Sequence, residues 1–154
     1  MQQIAKNTVK KSFDSLEKPS PMVELIIDKT PVLGVWAYHL LGLKIDPQQV
    51  FFSWGIVYQG RLIGVIVWTD LRPAHDVWWT IVTWDKHWCT KGILRHIFMI
   101  AKHQFHLERI NALVKTVNTK AIKLLTRLGF QKEGHLKRFY DDKSDAFLFA
   151  KYLF

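Results

Sequence analysis

The hydrophobic pattern of the chain is organised around one apolar segment, Val77–Trp84, and the amphipathic stretch that follows it. The segment consists almost entirely of β-branched and aromatic residues and contains neither glycine nor proline. This composition and length predict a strand that is buried on both faces. After the polar loop Asp85–Gly92, apolar residues recur at helical spacing with basic residues on the other face, which predicts a helix over Lys91–Phe105.

A strand that leads through a short basic loop into a helix leaves backbone N–H groups free at the helix N-terminus. These groups and the helix dipole favour a bound anion, and a phosphate is the usual ligand of such a site. Lys91 and Gly92, at the end of the loop, agree with this interpretation. The alternative is that Gly92 only eases a tight connection, and a single glycine does not decide between the two.

The other apolar segments predict further strands and helices around this central unit. The predicted strands are Val23–Ile27, Val50–Tyr58, Arg61–Trp68, Ile110–Val117, Gln131–Phe139 and Phe147–Leu153. One predicted helix begins at Thr30-Pro31 and ends at Gly42, and another covers Thr119–Leu128. The order β-α-β-β-β-α-β-α-β-β predicts a mixed α/β (α+β) fold with one main sheet.

Local signals add detail to three of these elements. Gln59-Gly60 predicts a tight hairpin between two strands. Residues 70–76, which include Pro73, predict a loop that leads into the central strand. In the first helix an apolar stripe recurs at helical spacing, formed by Val32, Val35, Trp36, His39 and Leu40.

The composition limits the possible classes of protein. A chain of 154 residues with 49% apolar residues is typical of one globular domain, and residues 1–20 are expected to be a loosely attached N-terminal segment. The single cysteine, Cys89, excludes an internal disulfide. No apolar run approaches the roughly 20 residues that span a bilayer, and no signal peptide precedes the strands. We therefore expect a cytoplasmic protein without a membrane partner.

The charge points to anionic partners. The formal net charge is +9 and the sequence pI is about 9.7. Such a balance favours nucleic acid, an acidic protein or a phosphorylated cofactor, and charge alone does not choose among them.

A longer motif narrows the choice among these anionic partners. Asn118–Gly134 contains Asn118, a small residue three positions later, an apolar pair, Leu128-Gly129-Phe130 and then Glu133-Gly134. This segment resembles a signature of the GNAT superfamily of acyl-CoA-dependent N-acyltransferases, and Leu125, Arg138 and Asp145 make it most similar to the RimJ/RimL-type protein acetyltransferases. Trp88–Leu94 stands where that family carries its pyrophosphate loop. The resemblance covers about Val50 to Phe154 and implies a mostly antiparallel central sheet flanked by helices.

The resemblance also implies a cofactor site for acetyl-CoA, with no metal. The backbone N–H groups of the loop would hold the pyrophosphate; its residues are Cys89, Thr90, Lys91, Gly92, Ile93 and Leu94. The main chain of Val82 to Trp84 would bind the pantetheine arm and the acyl carbonyl. Asn118 would bind the pantetheine, serve as a helix N-cap, or do both. The family usually has Arg or Gln at the position of Cys89 and a small residue at the position of Leu94.

Transfer of an acyl group from a thioester to an amine needs proximity, an oxyanion donor and a group that takes the ammonium proton. Related enzymes often carry a glutamate on the central strand, where this chain has Trp79 and Thr80. The candidate catalytic residues are therefore Asp76, His87 and Tyr140. A strand advances about 3.3 Å per residue, so Asp76 should lie roughly 20–25 Å from the end at Val82–Trp84. Tyr140 is the candidate that would re-protonate the leaving thiolate.

Three functions remain open at this point. The first is an acetyl-CoA-dependent N-acetyltransferase that acts on a protein N-terminus, a lysine or a small amine, with an acidic protein as one possible acceptor. The second is an inactive GNAT-fold scaffold or interaction protein, such as one encoded by a phage, since the pyrophosphate loop is degenerate. The third is a basic nucleic-acid-binding protein, although no helix-turn-helix, zinc or RNA-binding signature occurs.

Overall fold

The computed structural model describes residues 23–154, and the expected N-terminal segment 1–20 lies outside them. The strands are β1 (Val23–Asp28), β2 (Val50–Tyr58), β3 (Arg61–Arg72), β4 (Asp76–Thr83), β5 (Arg109–Lys115), β6 (Gln131–Leu136) and β7 (Ala146–Tyr152). The α-helices are α1 (Val32–Leu40), α2 (Lys91–Met99) and α3 (Thr119–Arg127). The predicted order of strands and helices is confirmed.

All seven strands form one sheet in the order β1-β2-β3-β4-β5-β7-β6. Every neighbouring pair is antiparallel except β4 and β5, which are parallel. This arrangement confirms the predicted mixed, mostly antiparallel sheet. β4 lies in its middle, and Val77 on one face and Val82 on the other are both buried. Such burial on both faces is the environment that the apolar pattern of Val77–Trp84 predicted.

The parallel pairing of β4 and β5 is short. It consists of Asp76↔Arg109, Val77↔Ile110 and Trp78↔Asn111. Beyond Trp78 the two strands separate, while β4 stays paired with β3 on its other edge as far as Thr83. Among the described residues 23–154, none pairs with the edge of β4 that faces β5 over residues 79–83, so the main-chain groups there are open to other partners.

A core lies on each face of the sheet. The larger core, beneath α2 and α3, is built around stacked aromatic rings, among them Phe52, Trp54, Trp68, Trp79 and Phe105. The smaller core lies beneath α1 and consists of Ala37, Val50, Val65, Val67 and Val82. Because α1 and α2 cover opposite faces, both contribute to the surroundings of the central strand.

The apolar stripe predicted for the first helix is not its buried face. Val32, Trp36 and Leu40 are 70%, 41% and 49% exposed, whereas Gly34 and Ala37 are buried. The reason is the close approach of α1 to the sheet. A Cβ atom placed on Gly34 would lie 2.8 Å from Ser53 Oγ, so only small residues fit on the contact face. The small size of the residues on the contact face, and not the hydrophobicity of the stripe, determines which face of α1 packs against the sheet.

The predicted loop over residues 70–76 is also wrong in part, because β3 continues to Arg72 instead of ending at Trp68. The register between β3 and β4 shifts between Thr69 and Arg72, which is a β-bulge. The bulge allows the strand to continue, and Arg72 then pairs with Asp76 across the turn. Other boundaries differ as well: residues 100–104 form a π-helical turn after α2, β5 ends at Lys115 rather than Val117, and β6 ends at Leu136 rather than Phe139.

The two helical glycines give a matched test of this packing. Gly34→Ala should lower the free energy of unfolding by about 1–3 kcal/mol, because the new methyl group would overlap Ser53 and Val50 in a closed interface. Gly92→Ala has nothing within 4 Å of the new Cβ and should leave stability unchanged or slightly higher. Urea denaturation of both variants measures the difference. Equal stability of the two variants would contradict the close approach of α1.

Candidate functional site

A cleft of about 670 Å³ opens where β4 and β5 separate. Its volume is in the range of sites that hold small molecules and cofactors. Its walls come from both strands, from the end of α1 and the loop after it, from α3, and from the connection between β6 and β7. Polar side chains that line it include Tyr38, Asp70, Thr80, Asn118 and Tyr140. The splay of the sheet thus creates a mostly apolar cleft with a few polar groups.

The N-terminus of α2 follows β4 after a 3₁₀ turn at Lys86–Trp88. Thr90 caps the helix, and its Oγ1 accepts a hydrogen bond from the Ile93 N–H at 3.2 Å. Within residues 23–154 no partner is found for the N–H groups of Lys91 and Gly92. Gly92 has a negative φ and open space around it, so the fold itself does not require a glycine there. Both observations fit an anion close to the helix N-terminus.

Cys89 and Leu94 flank these amides. Burial raises the pKa of the Cys89 thiol, and the charge of Arg127 partly opposes that rise. A thiol with a raised pKa stays uncharged at neutral pH and is a poor nucleophile. Leu94 is half-buried and packs against the larger core. Its side chain therefore points inward, away from the free amides.

Val82 and Trp84, near the end of β4, differ in which of their groups a ligand can reach. The Val82 side chain is buried beneath α1, which leaves its main chain as the part that a ligand can reach. The Trp84 N–H donates to the Ile63 carbonyl at 3.1 Å, and the indole N–H donates to the Leu62 carbonyl at 3.1 Å. The Trp84 ring packs edge-on against Trp36 of α1. Both N–H groups of Trp84 are therefore already used within the fold.

Asn118 serves as the N-cap of α3, where its Oδ1 accepts a hydrogen bond from the Ala121 N–H at 3.1 Å. It also lines the cleft. Because the cap uses only the carbonyl oxygen, the amide group of the side chain is available to a ligand. The capping role is thus observed, and the ligand-binding role is compatible with it.

Two tyrosines line the cleft. Tyr38 Oη lies 2.8 Å from Thr80 Oγ1 on β4, and Tyr140 lies in the connection between β6 and β7. Burial raises the pKa of both phenols. The Lys115 ammonium lies 5.1 Å from the centre of the Tyr140 ring. Both tyrosines therefore keep their protons at neutral pH and can donate hydrogen bonds.

Asp76 is buried at the start of β4 and does not line the cleft. Arg72 Nε and Nη2 lie 2.5 and 2.6 Å from its two carboxylate oxygens, and Asn111 Nδ2 donates to it at 3.0 Å. The hydrogen bonds from Arg72 lower the pKa of Asp76. A carboxylate that is paired in this way is a weaker proton acceptor than a free one.

His87 lies in the 3₁₀ turn and is exposed. Its Nδ1 is 2.6 Å from Asp85 Oδ1, and its ring stacks on Tyr58 with centroids 4.4 Å apart. It does not line the cleft. Of the three candidate catalytic residues, the structure therefore brings only Tyr140 to the cleft.

Tyr38 and Asp70 are among the residues of the cleft that the sequence did not predict. A signal for Tyr38 was available, because Gly34 and Ala37 mark a face of α1 that packs closely and Tyr38 adjoins it. Asp70 had no such signal. Its position depends on the bulge in β3, and nothing in the sequence of residues 69–72 predicts a bulge.

Two negative findings concern the described part of the chain. No helix within residues 23–154 is long and apolar enough to cross a membrane. Over the same residues, no group of three or more His, Cys, Asp or Glu side chains is placed to hold a metal ion.

Comparison with protein families gives one match, to the family described as acetyltransferase (GNAT) domain, over residues 37–147. The chain belongs to the GNAT acetyltransferase family. The match includes β4, the N-terminus of α2, Asn118 and Tyr140, and thus the whole of the site described above. GNAT acetyltransferases use acetyl-CoA as their co-substrate.

Solved structures show the same fold. A mutant of spermidine N-acetyltransferase from Vibrio cholerae has a TM-score of 0.56 at 20% identity; the similarity covers 66% of this chain and spans 64% of the length of that one. A dodecameric form of the V. cholerae enzyme has a TM-score of 0.63 at 15% identity, covering 84% of this chain and 94% of the other. A GNAT-family acetyltransferase from Bacillus anthracis has a TM-score of 0.59 at 16% identity, covering 86% and 97%. Comparison with curated proteins gives no match.

Proposed function

We propose that this GNAT protein is an acetyl-CoA-dependent N-acetyltransferase that acetylates a primary amine. The observation that carries the proposal is the pair of free amides at the start of α2, which follow the open edge of β4 along the chain; of the predicted cofactor-binding residues only Asn118 lines the cleft itself, and Val82, Trp84 and residues 89–94 lie beyond it. The unpaired edge of β4 over residues 79–83 has a length of about 13 Å. It leads toward the helix N-terminus, where the N–H groups of Lys91 and Gly92 have no partner in residues 23–154. An extended ligand with phosphates at one end suits this arrangement.

The residues present fit such a ligand at both of its ends. At the helix N-terminus, the amides of residues 89–94 would hold the pyrophosphate, and the helix dipole favours its charge. Lys91 is exposed there, and Arg127 is close enough for its charge to act on Cys89. We infer that these cations take the place of the Arg or Gln that the family usually carries at position 89. Val82 and Asn118 would bind the pantetheine arm through the main chain and the side-chain amide.

Acetyl-CoA supplies an activated acetyl thioester, so the protein need provide only position and proton transfer. Tyr140 is protonated at neutral pH, as a phenol ordinarily is, burial raises its pKa further, and it lines the cleft. We propose that the neutral amine forms a C–N bond with the acetyl carbon while the C–S bond breaks, and that Tyr140 donates its proton to the leaving sulfur. The proton that the nitrogen then loses restores the Tyr140 phenol through solvent, so the step balances. The Asp76 carboxylate, which is buried against Arg72, would instead hold β4 in place.

Two lines of support bear on the acceptor. The resemblance to RimJ/RimL-type enzymes favours a protein amine, and the net charge of +9 would attract an acidic protein. The structural neighbours from V. cholerae are spermidine N-acetyltransferases, which favours a small amine. A panel of spermidine, a lysine-containing peptide and an acidic peptide with a free N-terminus distinguishes these classes.

Binding of acetyl-CoA should raise the thermal midpoint of the wild-type protein. At a ligand concentration of about 100 times Kd, the added stability is about 2.7 kcal/mol. Gly92→Asp should abolish the shift, because its carboxylate would occupy the open space beside the free amides. Gly92→Ala is the matched control and should retain most of the shift. The measurement is a thermal-shift titration with acetyl-CoA and free CoA.

The same titration distinguishes the enzyme from an inactive scaffold. The degenerate loop, with Cys89 and Leu94, is the observation that favours a scaffold. No shift of the wild type at millimolar acetyl-CoA would support the scaffold and contradict the proposal. An equal shift in wild type and Gly92→Asp would place the ligand elsewhere.

Tyr140→Phe should reduce kcat by about a hundredfold and leave the KM for acetyl-CoA nearly unchanged, because the phenol acts on the leaving thiolate. Activity of the wild type should rise with pH toward the pKa of the free amine, since the neutral amine is the nucleophile. The measurement is kcat and KM against pH with the best amine of the panel. Asp76→Asn and His87→Ala are the comparison variants. A large loss in Asp76→Asn alone, in folded protein, would make Asp76 the proton acceptor instead.

A further inference from the structure

Asp70 occupies an unusual position in the sheet. It lies in the bulge of β3, where the pairing with β4 shifts between Thr69 and Arg72. Its φ is 49°, in the left-handed region that most side chains avoid and that Asp and Asn tolerate better than others. A bulge turns a side chain away from the alternation of its strand. Here Asp70 is one of the residues that line the cleft.

The Asp70 carboxylate is free of internal partners. No hydrogen bond or ion pair of its side chain is found within residues 23–154. Asp70 is exposed, and Asp141, the other carboxylate that lines the cleft, likewise has no hydrogen bond or ion pair within residues 23–154. Asp76, by contrast, binds Arg72 and Asn111, and Asp142 binds Lys115 at 2.7 Å. Asp70 is therefore a negative group in the cleft whose hydrogen-bonding capacity is unused by the fold.

The charge of Asp70 affects a neighbouring side chain of the cleft, Tyr38. It raises the pKa of Tyr38, adding to the effect of burial. Tyr38 is in turn fixed by its hydrogen bond with Thr80 on β4. Asp70 thus lies near the part of β4 where the separation from β5 begins, on the side covered by α1. Thr69, beside Asp70, pairs with Trp78 near the start of β4, whereas α2 follows the other end of that strand.

The rest of the cleft wall carries apolar side chains together with Lys44 and Lys115, and Lys115 is paired with Asp142. Leu41, Leu43 and Ile45, after α1, line the cleft, and Phe139 lines it from the connection between β6 and β7. A negative group beside apolar walls suits a ligand with a cationic head and a hydrocarbon chain. Alkylammonium groups, as in a lysine side chain or an aliphatic amine, have this chemistry.

We propose that Asp70 binds the ammonium group of the acceptor and selects alkyl primary amines as substrates. This inference rests on the proposed acetyltransferase function, and it assigns the carboxylate that the central strand lacks to β3. Asp70 acts as a specificity-determining residue through direct contact with the substrate. Tyr38 and Thr80 would shape the site around it without carrying charge.

The test uses n-butylamine, which is an ammonium ion at pH 7, and n-butanol, its neutral analogue, as probes of the full-length protein. Binding is measured by saturation-transfer NMR, and acetyl-CoA binding is measured in parallel by thermal shift. Asp70→Asn should weaken n-butylammonium binding by about ten- to a hundredfold, the range for loss of a hydrogen bond to a charged group. Asparagine tolerates the positive φ, so the bulge should persist. Glu24→Gln, which removes an exposed carboxylate on β1, is the matched control and should bind like wild type.

The outcomes separate this inference from the proposed function. Equal n-butylammonium binding by wild type and Asp70→Asn, or binding of n-butanol as tight as that of n-butylammonium, would overturn the role of Asp70. A loss in Asp141→Asn with none in Asp70→Asn would assign the site to the other carboxylate of the cleft and also overturn it. Absence of n-butylammonium binding by the wild-type protein would also overturn the role of Asp70. If n-butylammonium binds through Asp70 while acetyl-CoA gives no thermal shift, the ammonium site stands and the acetyltransferase function fails.

Discussion

The short parallel contact between β4 and β5 is the constraint on which the site depends. Three residue pairs hold the strands together at one end, and the strands separate beyond them. Polar side chains reinforce the closed end: Arg72 and Asn111 bind Asp76, Arg109 binds Asn111 and Glu133, and Tyr152 binds Glu133. This network joins β3, β4, β5, β6 and β7. Because Arg72 is largely exposed, its pair with Asp76 contributes less than a fully buried one would.

The aromatic core gives the other end of the site its rigidity. Trp88, in the turn after β4, is buried in the larger core together with Ile93 and Ile97 of α2. The backbone at Lys91 and Gly92 is therefore fixed in place, because buried side chains anchor the chain both before and after these two residues. Binding groups that are fixed in advance lose little entropy when a ligand arrives. The degenerate residues Cys89 and Leu94 thus change the loop's chemistry while its backbone remains anchored.

Much of the fold could be predicted from the sequence, because strongly apolar segments such as Val77–Trp84 have one stable environment in a sheet. The cap at Asn118 and the start of α2 were also readable from local chemistry. The errors arose where tertiary packing overrides a local pattern. The buried face of α1 is set by the space beside Ser53, and the length of β3 is set by a bulge and by Arg72. For the same reason Asp70 had no sequence signal as a residue of the cleft.

The most direct test of the account is to follow backbone amide resonances of the ¹⁵N-labelled protein during titration with coenzyme A. We expect the largest shifts at Lys91 and Gly92 and along residues 79–83 of β4, where the free amides and the unpaired edge lie. Shifts confined to the exposed basic residues of α2 and the turn after it, such as Arg95 and Lys102, would contradict it. That result would show that the ligand binds to the surface charge and not to the cleft between β4 and β5.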